Sequence, residues 1–173
     1  IFDCETVEEI RDNAMERMDI DFLALEQEVI SFINLKTTWV LATAAGQHVT
    51  ARTVYTVSNG FVIFFITDKN STKYKQMSVN PNVALCRENY QIEGQAKEIG
   101  CLRDLKNSAV GNLFRQHHPS AYKRYALLET EFIFEIHPTQ VTIWRQTETQ
   151  AYRDILMLVA KKAYREPFIT FTA

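Results

Sequence analysis

Four residues of this chain have types and spacing suited to chemistry, namely Arg52, Ser71, Thr72 and Lys73, and that chemistry is recognition of an anion. The run Phe61-Val62-Ile63-Phe64-Phe65-Ile66 is apolar, β-branched and aromatic. It breaks at Thr67-Asp68 into a polar turn and resumes at Ser71 as a helix that Asn80-Pro81 must end. A helix N-terminus carries unpaired N–H groups and the positive end of the backbone dipole. Here Ser71, Thr72, Lys73 and Lys75 add hydroxyls and ammonium charge, a setting that suits a phosphate. The same residues also make an ordinary cap and a solvated helix face, so the strand that precedes them has to separate the two readings.

That strand is expected over residues 49–57. Residues 38–44 form the strand before it across the turn Gly46-Gln47, and Asn59-Gly60 is the strongest hairpin signal in the chain. Alternation places Thr50, Arg52, Val54 and Thr56 on one face and Ala51, Thr53, Tyr55 and Val57 on the other. Arg52 therefore sits in the middle of a half-buried strand, where a guanidinium needs a negative partner: a glutamate on the sheet, or a ligand. Pairing through Asn59-Gly60 sets Arg52 roughly opposite Thr67, which would let Arg52 and Lys73 converge on one phosphate.

The remaining elements must position these residues. Apolar spacing predicts a surface helix over 6–17 and a core-packed helix over 21–35, capped by Asp21, with Phe22, Leu25, Val29, Phe32 and Ile33 on one side. A hairpin is expected over 83–86 and 90–96, turning near Glu88-Asn89, with Gly94 marking a bulge or a close approach by backbone or ligand. Residues 102–128 read as helix broken at His117-His118-Pro119, with Leu105, Ala109, Leu113 and Phe114 inward. Two further strands are expected over 131–136 and 140–144, paired around His137-Pro138-Thr139, and the apolar run 152–159 is too short to separate strand from helix, with Lys161-Lys162 as a following turn favouring strand. The plan is α+β: a six-stranded antiparallel split β-barrel with flanking helices, in a single domain over 1–173. Its N-terminal helices span about 6–35 and its barrel about 37–160, with a helical insertion at about 102–128.

Composition narrows the function. With 173 residues, 46% apolar and 23% charged, the chain can bury a core without staples. A net charge of -2 and a pI near 6.1 provide no general field for nucleic acid or an anionic membrane, so neither is expected as a partner. Cys4, Cys86 and Cys101 lack metal-ligand spacing and read as reduced thiols, and the acidic N-terminal stretch is unlike a signal peptide, so a cytoplasmic location is expected. Adjacent His117 and His118 point apart on a helix and suggest no metal site.

Taken in order, Arg52-Thr53-Val54, Phe64-Phe65-Ile66-Thr67-Asp68, Ser71-Thr72-Lys73, Asn80-Pro81-Asn82-Val83-Ala84-Leu85 and Gln91-Ile92-Glu93-Gly94 resemble the pyridoxamine 5'-phosphate oxidase-like, FMN-binding split-barrel family. The resemblance runs from about Trp39 to Trp144. It implies a homodimer with two FMN sites at the subunit interface, in which Arg52, Ser71 and Lys73 hold the phosphate and Thr72 stands where the oxidase often has a second basic residue. It further implies that Thr53, Val54, Ile66 and Thr67 border the isoalloxazine, that Asn89 or Gln91 contacts the flavin edge, and that Trp144 and Arg153 arrive from the C-terminal strands. Val57 stands where the oxidase has a lysine near its substrate, and the oxidase's C-terminal Arg-x-His motif is missing. The expected function is an FMN-dependent oxidoreductase acting on a small molecule or NAD(P)H. The alternative is a non-catalytic sensor or carrier of flavin or haem, and a deazaflavin in place of FMN stays open.

Overall fold

The structure, a computed structural model, describes residues 17–170. Helix α1 (Phe22–Leu35) starts where Asp21 accepts a hydrogen bond from the Ala24 amide at 3.1 Å, and it buries Leu25, Val29 and Ile33. The expected helix over 6–17 lies outside the described residues except for Arg17.

Nine strands form one antiparallel sheet: β1 (Met18–Asp19), β2 (Thr38–Ala45), β3 (His48–Asn59), β4 (Val62–Asp68), β5 (Asn82–Arg87), β6 (Tyr90–Gly100), β7 (Glu131–Gln146), β8 (Gln150–Met157) and β9 (Lys162–Thr170). The order β7-β4-β3-β2-β5-β6 closes on itself through β6–β7 pairing, which makes a six-stranded barrel. β8, β9 and β1 extend the sheet from β7 outside the ring. Helix α2 (Thr72–Val79) links β4 to β5. Between β6 and β7 lie a 3₁₀ turn (Leu105–Asn107) and helices α3 (Ser108–His117) and α4 (Pro119–Tyr125). This is the α+β split barrel read from the sequence.

Three local expectations change. Residues 131–136 and 140–144 belong to one continuous strand, β7, rather than to a pair: its first half ladders with β4 and its second with β8, while β6 runs beside both. Pro138 is tolerated within it because it faces Gly94 at a β-bulge, where the ladder is already interrupted. In the insertion Phe114 is buried and Leu113 packs beside it as expected, but Leu105 and Ala109 are exposed and Val110 and Gly111 are buried in their place. The hairpin at Asn59 turns on Gly60-Phe61, with Gly60 at φ +59° and Asn59 itself paired to Val62. The β3–β4 ladder ends at Thr56–Phe65, while β4 continues to Asp68 paired on its other edge with β7, so Arg52 faces no β4 residue; on the β2 side it pairs with Leu41.

Two apolar cores result. The barrel interior holds Trp39, Leu41, Phe65, Leu85, Ile92 and Phe134 against α1, and a second cluster of Val57, Phe64, Leu102, Val110, Phe114 and Ile133 lies under the helical insertion. Each such side chain contributes about 1.5–3 kcal/mol by leaving water. α1 is also tied to the extension by charge: Arg145 donates to Glu28 at 2.8 Å and to the buried Asp154 at 2.6 Å, and Asp154 also accepts from Arg165 at 2.7 Å.

Candidate functional site

The inward face of β3 carries Arg52 beside the barrel opening. Its guanidinium donates to the Leu41 carbonyl at 3.2 Å, to Thr43 Oγ1 at 2.6 Å and to Thr50 Oγ1. All three acceptors are neutral, and among the described residues Arg52 pairs with no carboxylate. Burial pulls its pKa below the ordinary arginine value.

The turn after β4 is built to present a helix start. Asp68 accepts from the Asn70 amide and from Thr130 Oγ1, both at 2.6 Å, and its carbonyl accepts from the Ser71 amide at 3.0 Å. The hydrogen bond from Thr130, then that from Asn70, holds the Asp68 carboxyl below its usual range. Ser71 caps α2 by accepting from the Tyr74 amide at 3.3 Å, and its hydroxyl shares a 2.9 Å hydrogen bond with the buried Thr67. Thr72 and Lys73 therefore open the helix with amides that have no acceptor within it.

Lys73 is half-buried and, among the described residues, forms no ion pair. Burial first, then repulsion from Arg52, lowers its pKa, while Glu131 and Asp68 act in the opposite direction. Arg52 and Lys73 thus lie within electrostatic reach of each other. They are brought together through α2 rather than by direct strand pairing: Gln76, one helical turn beyond Lys73, is 3% exposed and accepts from Thr43 and Thr50 at 2.6 and 2.7 Å, the same hydroxyls that hold Arg52. Two adjacent cations with no ion-pair partner among the described residues, a hydroxyl and a helix start fit a phosphate dianion. Glu131, directly across from Asp68, borders this cluster, and burial followed by the Asp68 charge pushes its carboxyl up.

The other expected residues lie elsewhere. Val54 points into the barrel core, and Ile66 packs with the cluster under α3, so only their backbone can border a ligand. Thr53 is exposed on the outer face beside Val40 and Cys86, at a cavity of about 460 Å³. Gln91 lines an outer groove of about 490 Å³ and donates to Glu93 at 2.9 Å. Asn89 and Trp144 are joined by two hydrogen bonds, Asn89 Nδ2 to the Trp144 carbonyl at 2.8 Å and the Trp144 amide to the Asn89 carbonyl at 2.9 Å. Arg153, opposite Trp144 on β8, lies 5.6 Å from its ring centroid and donates to Glu166 at 2.8 Å. Trp144 and the Thr67 partner Phe132 stand at opposite ends of β7, so one chain alone does not unite the two groups.

The sequence reading missed Thr43, Thr50, Gln76 and Glu131. Gln76 was visible as the residue three positions after Lys73 on the same helical face, and the threonines follow once β2–β3 register is known.

A pyridoxamine 5'-phosphate oxidase family model matches residues 25–145, which take in most of α1, all of α2, the Arg52 strand and all but the last residue of the closed barrel. The chain belongs to the pyridoxamine 5'-phosphate oxidase family. A comparison with curated protein sequences finds no match. Among solved structures, this family member is similar to a pyridoxamine 5'-phosphate oxidase-related, FMN-binding protein from Nostoc punctiforme (16% identity, 85% of this chain and 95% of that one, TM-score 0.55). It is also similar to HutZ, described as the heme storage protein of Vibrio cholerae (17%, 69% and 94%, TM-score 0.59), and to a FAD-binding protein from Mesorhizobium loti (13%, 89% and 98%, TM-score 0.54). At these identities the likeness concerns the fold alone. Among the described residues no helix is long and apolar enough to cross a membrane, and no cluster of metal-ligating side chains occurs.

Proposed function

We propose that this oxidase-family chain is an FMN-binding flavoprotein that works as an oxidoreductase on a small molecule or NAD(P)H. The observation that carries the reading is the pair of cations, Arg52 and Lys73, left without carboxylate partners at the start of α2. Arg52 donates to the phosphate oxygens through its free N–H groups, Lys73 supplies a point charge, and Ser71 with the Thr72 and Lys73 amides completes the cradle. Backbone of Thr53, Val54, Ile66 and Thr67 borders the ring system. Flavin, when bound, supplies hydride-transfer chemistry, so the protein's task is to bind, orient and exclude water.

The second half of the site comes from a second copy of the chain. The outer face of β2, β3 and β5 is rich in small and apolar residues, with Val49, Tyr55 and Val40 exposed at 65%, 57% and 42%. Such a face suits a self-complementary contact. In the dimer, Gln91 or Asn89 and the stacked pair Trp144 and Arg153 reach the partner's cofactor.

One observation favours a second reading, a cofactor carrier or sensor without turnover. Val57 is 3% exposed in the closed apolar cluster under α3, so no cation stands there to hold a charged substrate. Haem or a deazaflavin would replace FMN in variants of that reading. An absorption spectrum separates flavin from haem, since haem gives a Soret band. Anaerobic mixing with NAD(P)H or pyridoxamine 5'-phosphate then separates the two roles: bleaching of bound flavin supports the oxidoreductase, and absence of bleaching with every donor supports the carrier.

A further inference from the structure

The amide of Gln76 is the hub of a hydrogen-bond relay in which each group has only one possible role. Arginine only donates, so Thr43 Oγ1 and Thr50 Oγ1 must accept from Arg52. Their own protons then go to Gln76 Oε1, at 2.6 and 2.7 Å. With its oxygen doubly engaged, Gln76 turns its Nε2 to the His48 carbonyl at 2.9 Å, which fixes the amide orientation. Gln76 and Thr43 are 3% and 2% exposed, so the bond between them is shielded from water.

We infer that Gln76 is a positioning residue for anion recognition: through Thr43 and Thr50 it locks one edge of the Arg52 guanidinium and aims the remaining N–H groups at the ligand phosphate. The inference rests on the phosphate reading above. The relay also makes α2 rigid with β2 and β3, so Lys73, one turn before Gln76, and Arg52 keep a fixed spacing. A guanidinium locked before the ligand arrives loses little freedom on binding. Gln76 touches no ligand, and its effect is confined to the phosphate end.

That confinement defines the test. FMN and riboflavin differ only in the phosphate, so the ratio of their affinities, read by flavin fluorescence titration, isolates it. Gln76→Met keeps the volume and removes the relay; it is expected to lower the FMN preference about tenfold while the riboflavin Kd stays unchanged. Thr50→Val, at a half-buried position, breaks the same relay from the strand side and should act in the same direction, which keeps the test alive if Gln76→Met does not fold. Arg52→Met should lower the preference at least as far, leaving the share held by Lys73 and the α2 amides, and adding Gln76→Met to it should cost nothing further. If Arg52→Met lowers the preference while Gln76→Met and Thr50→Val leave it intact, or if Gln76→Met lowers it equally without Arg52, the relay plays no part and only the phosphate reading stands. If Arg52→Met itself leaves the preference unchanged, the phosphate reading falls and the inference with it.

Discussion

Replacing Lys73 by methionine separates a ligand-binding cation from a structural one. Lys73 is half-buried, and burial together with Arg52 pulls its ammonium below the ordinary lysine value despite Glu131 and Asp68 nearby. A lysine that binds its proton less tightly in the fold than in the unfolded chain destabilises the fold while it is charged. Methionine keeps an aliphatic stem to pack and drops the charge. The ligand-free variant is therefore expected to gain about 0.5–2 kcal/mol, as relieved local conflicts at functional sites commonly do. For a chain of this size that is a Tm rise of roughly 1–8 °C. Binding moves the other way: one charge-assisted hydrogen bond to the phosphate is lost, about 1.5–3 kcal/mol, or roughly 10- to 150-fold in Kd for FMN. Thermal unfolding without ligand and a flavin titration of the same preparation read both numbers. A ligand-free Tm that drops by several degrees would refute the reasoning, since it would show Lys73 to be neutralised within the fold.

Other consequences are as direct. Glu131 has its pKa raised by burial and by Asp68, so the folded protein holds that proton more tightly than the unfolded chain does. Its contribution to stability is full below the unfolded value and is lost as pH rises through the folded one. Glu131→Gln should thus stabilise the protein increasingly as pH rises above the unfolded glutamate value of about 4.3; a Tm difference that is flat with pH contradicts this. A Cβ on Gly94 would stand 2.5 Å from the His137 carbonyl oxygen and 3.0 Å from Pro138 Cα, all backbone. Gly94→Ala is expected to cost about 1–3 kcal/mol, a Tm loss of roughly 2–12 °C, and an unchanged Tm would mean that the β6–β7 bulge yields freely. Val40→Asp, on the outer sheet face, should shift the protein from dimer to monomer in analytical ultracentrifugation, whereas a wild-type monomer at high concentration would remove the two-chain site.

Local grammar carried much of the fold. The Asp21 cap, the alternation in residues 49–57 and the break at Ser71 are short-range signals, and α1, β3 and α2 follow from them with small shifts. What failed was long-range. Nothing near Pro138 announces that a bulge at Gly94, more than forty residues earlier, makes the proline harmless, so β7 read as two strands. The register at Asn59-Gly60 was likewise misjudged because a turn dipeptide does not reveal where the β3–β4 ladder ends. The candidate site was legible as residue types, Arg52 and Lys73 above all, but their link was not. It runs through Gln76, whose role depends on two threonines that only cross-strand pairing brings together.

The central claim is that Arg52 and Lys73 hold the phosphate of a bound flavin nucleotide, and the most direct measurement is an FMN titration of the wild-type protein beside an Arg52→Ala, Lys73→Ala double variant, with circular dichroism to verify that both are folded. The account expects the wild type to bind FMN, with bound-flavin absorption, and the folded double variant to lose it. A folded double variant that binds FMN as tightly as the wild type would contradict the account.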